Sequence, residues 1–188
     1  PRRVWDWYEE RRAGVRATSP HAGHHALADL ESMLQSIVVV TQNVDGFHRL
    51  AGSTDVIELH GNILRSVCSE TRQVIDEDWL DTQNQRPPPS PHHPRGLARP
   101  DVVWFGESLP QAALQRAFQL AQAADVVMSI GTSTLVQPAA SLPSLAREHG
   151  AYVIEINPNR TPLSDAADLH LSLPAGAALV ALANDLSP

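Results

Sequence analysis

The chain has 188 residues, 43% of them hydrophobic, which is enough apolar matter for a sizeable core and too much for a wholly disordered chain. Fourteen Lys and Arg against 21 Asp and Glu leave a net charge of −7, a poor match for a nucleic-acid binder; the single cysteine, Cys68, excludes an internal disulfide and a four-cysteine zinc site. The longest purely apolar run, Ile37 to Val40, is far too short to cross a bilayer and no signal-peptide pattern opens the sequence, so a soluble cytoplasmic protein without membrane contact is expected.

Val4 to Val15, with Trp5, Trp7 and Tyr8, predicts an amphipathic helix. Ser19-Pro20 predicts the cap and first turn of a second helix running to about Gln35. Ser36 to Thr41 is short, β-branched and apolar on both sides, the pattern of a buried parallel strand. A helix over Val44–Ala51 and a strand over Val56–Leu59 follow. Residues 66–98 differ in character: the proline cluster 87–94 cannot be a core helix or central strand, so the segment reads as a small inserted module, partly extended or mobile. Strands are then predicted at Val102–Phe105, Val126–Ile130, Tyr152–Ile156 and Leu169–Leu173, with helices at Gln111–Ala124, Ala139–His149 and Ala177–Leu186. Strands alternating with helices predict a doubly wound, Rossmann-like α/β sheet built from 1–65 and 99–188.

Ligands of open α/β sheets bind beyond the carboxyl ends of the strands. Four strand exits here are polar: Gln42-Asn43-Val44-Asp45, His60-Gly61-Asn62, Gly131-Thr132-Ser133 and Asn157-Pro158-Asn159. Each alone makes an ordinary turn; four on one sheet predict a nucleotide crevice. His60 stands at such an exit, where a neutral imidazole can serve as a base or simply pack locally. His21, His24 and His25 read as surface or capping residues.

The ordered string Thr41-Gln42-Asn43-Val44-Asp45, Leu59-His60-Gly61, Arg99-Pro100-Asp101-Val102-Val103-Trp104-Phe105-Gly106-Glu107, Gly131-Thr132-Ser133 with Pro138-Ala139-Ala140, and Glu155-Ile156-Asn157 resembles the sirtuins, NAD-dependent protein-lysine deacylases. The resemblance implies NAD as cofactor and acylated lysine side chains of proteins as partners. It implies that His60 is the catalytic base. Gln42, Asn43 and Asp45 would line the nicotinamide and its ribose; Gly131, Thr132 and Ser133 the ribose and phosphates; Asn157, Pro158 and Asn159 the adenosine ribose; and Ala175 the adenine. Val103, Phe105, Gly106 and Glu107 would hold the acyl-lysine peptide by strand addition. Tyr8 and Arg11, three apart on one helix, resemble the desuccinylase-like branch, in which a guanidinium and a phenol hold the distal carboxylate of a succinyl, malonyl or glutaryl group.

Two departures accompany the resemblance. The Gly-Ala-Gly-x-Ser loop and the strand before it do not occur in this sequence, so the sheet is expected without its first strand. In the small module, Thr71 stands where the family pairs a second cysteine with Cys68, and His92 to Pro94 fall where it has another pair. Zinc is therefore not expected, although Cys68, His92 and His93 offer a surrogate donor set. The expected molecule is a monomeric deacylase, acting as desuccinylase, demalonylase or deacetylase; the alternative is a non-catalytic remnant that binds acyl-lysine peptide or a protein partner.

Overall fold

A computed structural model describes residues 1–187. In chain order its elements are α1 (Arg2–Arg16), α2 (Ala22–Met33), β1 (Val39–Thr41), α3 (Phe47–Leu50), β2 (Val56–Glu58), β3 (Gly61–Cys68), β4 (Val74–Ile75), α4 (Glu77–Asp81), β5 (Ala98–Val102), α5 (Gln111–Ala123), β6 (Val126–Ile130), α6 (Leu142–Glu148), β7 (Tyr152–Ile156), β8 (Leu169–Leu171) and α7 (Ala175–Leu186). They form two compact units, one of residues 1–19, 43–47 and 60–108, the other of 20–42, 48–59 and 109–188. Among the described residues no helix is long and apolar enough to cross a membrane.

The first unit is an antiparallel sheet of order β4-β3-β5 with α1 and α4. Trp5, Tyr8 and Arg12 repeat at intervals of three and four, so α1 buries one stripe. Trp5 joins Cys68, Ile75, Leu80 and Ala98 in one apolar cluster, and Tyr8 joins Ile63 and Val102 in another. The segment expected to be extended or mobile is tied down. Prolines cannot donate to a ladder but their carbonyls accept: the Ala98 N–H donates to Pro88 O at 2.8 Å, the Ser90 N–H to Gly96 O at 2.8 Å, and Pro89 bridges Leu97.

The second unit contains two parallel sheets, β1-β2 and β6-β7-β8, with helices packed on them. This is the Rossmann-like α/β class expected from the alternating pattern. Leu30 and Leu179 centre one core cluster and Leu59 another. α2 starts at His21 rather than Ser19. His21 Nδ1 accepts from the Gly23 N–H and His24 Nδ1 from the His21 N–H, so two histidines form a reciprocal capping box. His24 is buried, not a surface residue. β6 is the outer strand of its sheet, with Val126 exposed and Ser129 buried. The helix predicted over 44–51 shrinks to Phe47–Leu50, because the Val44 carbonyl accepts from Ile63, Gly46 has φ +76° and Asp45 caps the Phe47 N–H.

Candidate functional site

In the second unit, three of the polar strand exits converge on Thr132. Gln42 Nε2, after β1, lies 3.5 Å from Thr132 Oγ1, and Asn157 Nδ2, after β7, donates to Thr132 O at 2.9 Å. The Gly131 N–H donates to Ile156 O at 2.9 Å and carries the β6–β7 pairing into the exits. Gly131 has φ +61°, and a Cβ there would meet nothing within 4 Å, so glycine serves the backbone conformation and leaves the mouth open. Ser133, Pro158 and Asn159 are exposed, and the Asn159 N–H donates to Asn157 Oδ1 at 3.0 Å. The β8 exit joins them: the Asn157 N–H donates to Leu171 O at 3.1 Å and Ser172 Oγ to Pro158 O at 3.1 Å, with Ala175 opening α7 just beyond. Exposed backbone and hydroxyl donors gathered at parallel strand ends fit a dinucleotide.

In the first unit, His60 is half-buried, and its carbonyl accepts from the Val103 N–H at 3.0 Å. Gly61, next to it, has φ +81°, and a Cβ would lie 2.0 Å from Asp101 O, so no other residue fits between β3 and β5. Asn43 is exposed, and Asp45 Oδ1 accepts from the Phe47 N–H at 2.9 Å. A Cβ at Gly46 would meet Asn62 Nδ2 at 2.9 Å, so this turn too is held closely.

Val103 is half-buried, Gly106 takes φ +88°, and Phe105 stands fully exposed at 104%. Glu107 does more than line this loop. Its carboxylate accepts from Arg99 Nη1 at 2.6 Å, Arg99 Nη2 at 3.0 Å and the Trp104 N–H at 2.9 Å, while the Arg99 guanidinium stacks 3.5 Å from the centre of the Trp104 ring. Arg99 holds the Glu107 carboxyl below its usual value; burial opposes this and the Trp104 N–H assists. Arg99 and Trp104 carry this clamp unassigned by sequence reasoning. The arginine three residues before the apolar strand end at Val102 was the available signal.

Tyr8 and Arg11 are separated by Trp7. Tyr8 is buried and stacks on Trp104, with ring centres 6.2 Å apart. Arg11 is exposed, its guanidinium 3.0 Å above the Trp7 ring, and Trp7 meets Tyr8 edge-on at 4.7 Å. The arginine that enters the core is Arg12, which sits where the stripe Trp5–Tyr8–Val15 calls for a buried side chain.

The residues of the small module do not fit a structural zinc. Cys68 is the one thiol, fully buried. Burial pushes its pKa up, but the Ser90 and Thr71 side chains and the Thr71 and Glu70 backbone outweigh this and bring it down to about 7. His92 Nε2 lies 2.8 Å from Val74 O, and His93 Nδ1 accepts from the Arg95 N–H at 3.3 Å. Among the described residues no group of three or more His, Cys, Asp or Glu could hold a metal ion.

The sequence pattern of the Sir2 family matches residues 1–138. An NAD-dependent protein deacylase of Aquifex aeolicus (strain VF5) is 45% identical over 179 residues, covering 95% of this chain and 74% of the relative. One of Ralstonia nicotianae (strain ATCC BAA-1114 / GMI1000) is 44% identical over 190 residues, covering 97% and 72%. The crystal structure of a Sir2 homologue in complex with NAD superposes with a TM-score of 0.89 at 40% identity, covering 99% of this chain and 72% of that one. Sir2Tm bound to a propionylated peptide gives 0.83 at 31% identity, covering 92% and 73%.

Proposed function

Because the chain belongs to the Sir2 family, we propose that it strips dicarboxylic acyl groups, succinyl, malonyl or glutaryl, from protein lysines. The enzyme is an NAD-dependent protein deacylase and NAD is its cofactor. The observation that carries the cofactor reading is the convergence of the β1, β6 and β7 exits on Thr132.

When bound, NAD would supply a ribose carbon able to accept the acyl-lysine carbonyl oxygen in exchange for nicotinamide. His60 accepts the proton of a neighbouring ribose hydroxyl. The family resemblance gives Gln42, Asn43 and Asp45 to the nicotinamide and its ribose. Gly131, Thr132 and Ser133 receive the ribose and phosphates, Asn157, Pro158 and Asn159 the adenosine ribose, and Ala175 the adenine. The peptide backbone runs along Val103–Glu107 by strand addition, which asks little of its sequence. Phe105, an aromatic ring standing in water in the free protein, covers the acyl-lysine and excludes water from the reacting atoms.

The acyl preference rests on Arg11, since Tyr8 is buried and separated from it by Trp7. Arg11 is exposed and braced on Trp7, which leaves guanidinium N–H groups for a distal carboxylate while limiting the rotamers to be ordered. The test is mass spectrometry of the protein with NAD and matched succinyl-lysine and acetyl-lysine peptides. O-acyl-ADP-ribose and nicotinamide are expected, and His60→Ala abolishes both. Arg11→Met lowers kcat/KM for desuccinylation by about tenfold or more, the worth of one charge-assisted hydrogen bond, and leaves deacetylation within about twofold. Equal loss of the two activities would overturn the carboxylate reading; absence of product from either peptide would favour a non-catalytic peptide binder.

A further inference from the structure

β7 runs Tyr152-Val153-Ile154-Glu155-Ile156, and one residue in this otherwise apolar core strand carries a charge. Glu155 is completely buried. A carboxylate is not placed there without cause, because each unmatched lone pair in an apolar interior is costly. Its two oxygens are matched by hydroxyls: Thr161 Oγ1 donates to Oε1 and Ser164 Oγ to Oε2. His170 Nε2 lies 3.7 Å from Oε2 and 3.1 Å from the carbonyl of Asn157.

The hydroxyls lead outward to the loop after β6 assigned above to the cofactor, and His170 spans Glu155 and the Asn157 carbonyl of the other. Thr161 Oγ1 is 3.2 Å from Thr134 Oγ1, whose single proton is shared with the Ser133 carbonyl at 2.7 Å. Thr134 takes φ 54°, a left-handed backbone that a threonine holds only when its surroundings fix it. Ser164 Oγ also accepts from the Thr161 N–H at 2.8 Å, which closes the turn 161–164. The loop after β6 is therefore held to the segment after β7 twice. Asn157 Nδ2 on Thr132 O makes one tie, and the hydroxyl chain Thr134–Thr161–Glu155 makes the other.

We propose that Glu155 is a positioning residue for the cofactor: as an acceptor-only carboxylate it locks Thr161 and Ser164, and through them fixes the loops 131–134 and 157–159 in the arrangement that receives ADP-ribose. This rests on the reading of those loops as the NAD half-site. A glutamine cannot replace it. Its amide keeps one acceptor oxygen but turns two donors toward hydroxyls already committed to donate. The role is confined to the dinucleotide, since the network touches no residue assigned to the peptide or to proton transfer.

The experiment measures ADP-ribose affinity by calorimetry on the protein, together with steady-state KM values for NAD and peptide. In Glu155→Gln and in Thr161→Val, Kd for ADP-ribose and KM for NAD rise about tenfold, the loss of one hydrogen bond to a charged group. kcat at saturating NAD and KM for peptide stay within about twofold. Thr161→Ser, which restores the hydroxyl, returns both cofactor constants to the wild-type values, and the double variant Glu155→Gln/Thr161→Val is no worse than either single one. Unchanged ADP-ribose affinity in Thr161→Val, whatever its melting temperature, would show that the network serves stability alone and would overturn the inference. Wild-type protein that binds no ADP-ribose would overturn the NAD half-site itself, a distinct result read before any variant is made.

Discussion

Arg12 shows how one side chain fixes the approach of a helix. It is 2% exposed, yet each of its three guanidinium nitrogens donates: Nε to Ile63 O at 2.6 Å, Nη2 to Ser66 Oγ at 2.8 Å and Arg65 O at 3.2 Å, and Nη1 to Glu9 Oε1 at 3.0 Å. The planar guanidinium satisfies carbonyls exposed where the β3–β5 register shifts between Asn62 and Ser66. Arg12→Ala leaves those acceptors buried and unpaired and costs about 3 kcal/mol of stability. Urea unfolding checks this through the midpoint at unchanged m-value. Arg12→Lys recovers only part of the loss, because an ammonium cannot span the four acceptors that the planar guanidinium reaches. A cost below about 1 kcal/mol would mean that water reaches these carbonyls. Tyr8, one turn earlier on the same face, is carried into its stack on Trp104 by the same docking.

At the scale of elements, β3, β4, α4 and β5 form a module that coheres around Trp5, Cys68, Ile75, Leu80 and Ala98. The Cys68 thiol sits among the hydroxyls of Ser90 and Thr71 and the backbone amides of Thr71 and Glu70 instead of beside three more thiolates. A Cβ on Gly96 would come 2.7 Å from Cys68 Sγ, so the loop packs directly on the sulfur and leaves no room for an ion there. Packing therefore does what metal ligation would otherwise do. Accordingly, dialysis against EDTA or a stronger chelator leaves the melting temperature and the deacylase rate unchanged, and elemental analysis of tag-free protein finds no stoichiometric zinc. A chelator-induced fall in melting temperature that zinc reverses would contradict this.

For the molecule as a whole, the alternation of helix and strand was legible because each β-branched run ends in polar residues; β6 and β7 begin and end where the pattern places them. The gathering of polar strand exits around Thr132 was legible for the same reason, since strand ends are where an α/β sheet exposes backbone. What escaped were contacts that only the fold makes: the long-range burial of Arg12 against Ile63 and Ser66, and the local clamp of Arg99 on Trp104, which no periodicity signals. The Glu155 hydroxyl network escaped too, because a charge within an apolar strand is only intelligible once its partners are known. The short β4 and α4 lie below the length at which periodicity speaks.

Each unit also carries a carboxylate tuned by its own partners, and together they set how the molecule answers acid. In the second unit the Thr54 hydroxyl, then the Thr54 N–H, hold Glu31 below its ordinary value, burial opposing and the Asp55 N–H assisting; in the first unit Arg99 does so for Glu107. A folded pKa below the unfolded one means that the unfolded chain binds more protons in that range. The stabilisation is thus complete above the ordinary value of 4.5 and is lost as pH falls through the lower folded values. Melting temperature followed from about pH 7 to about pH 3 should hold steady at first and then fall below about pH 4.5. Glu31→Gln/Glu107→Gln, less stable at neutral pH, should fall less steeply in the acid range, because its amides no longer take up protons on unfolding. An acid slope identical to that of the wild type would assign the loss to other carboxylates.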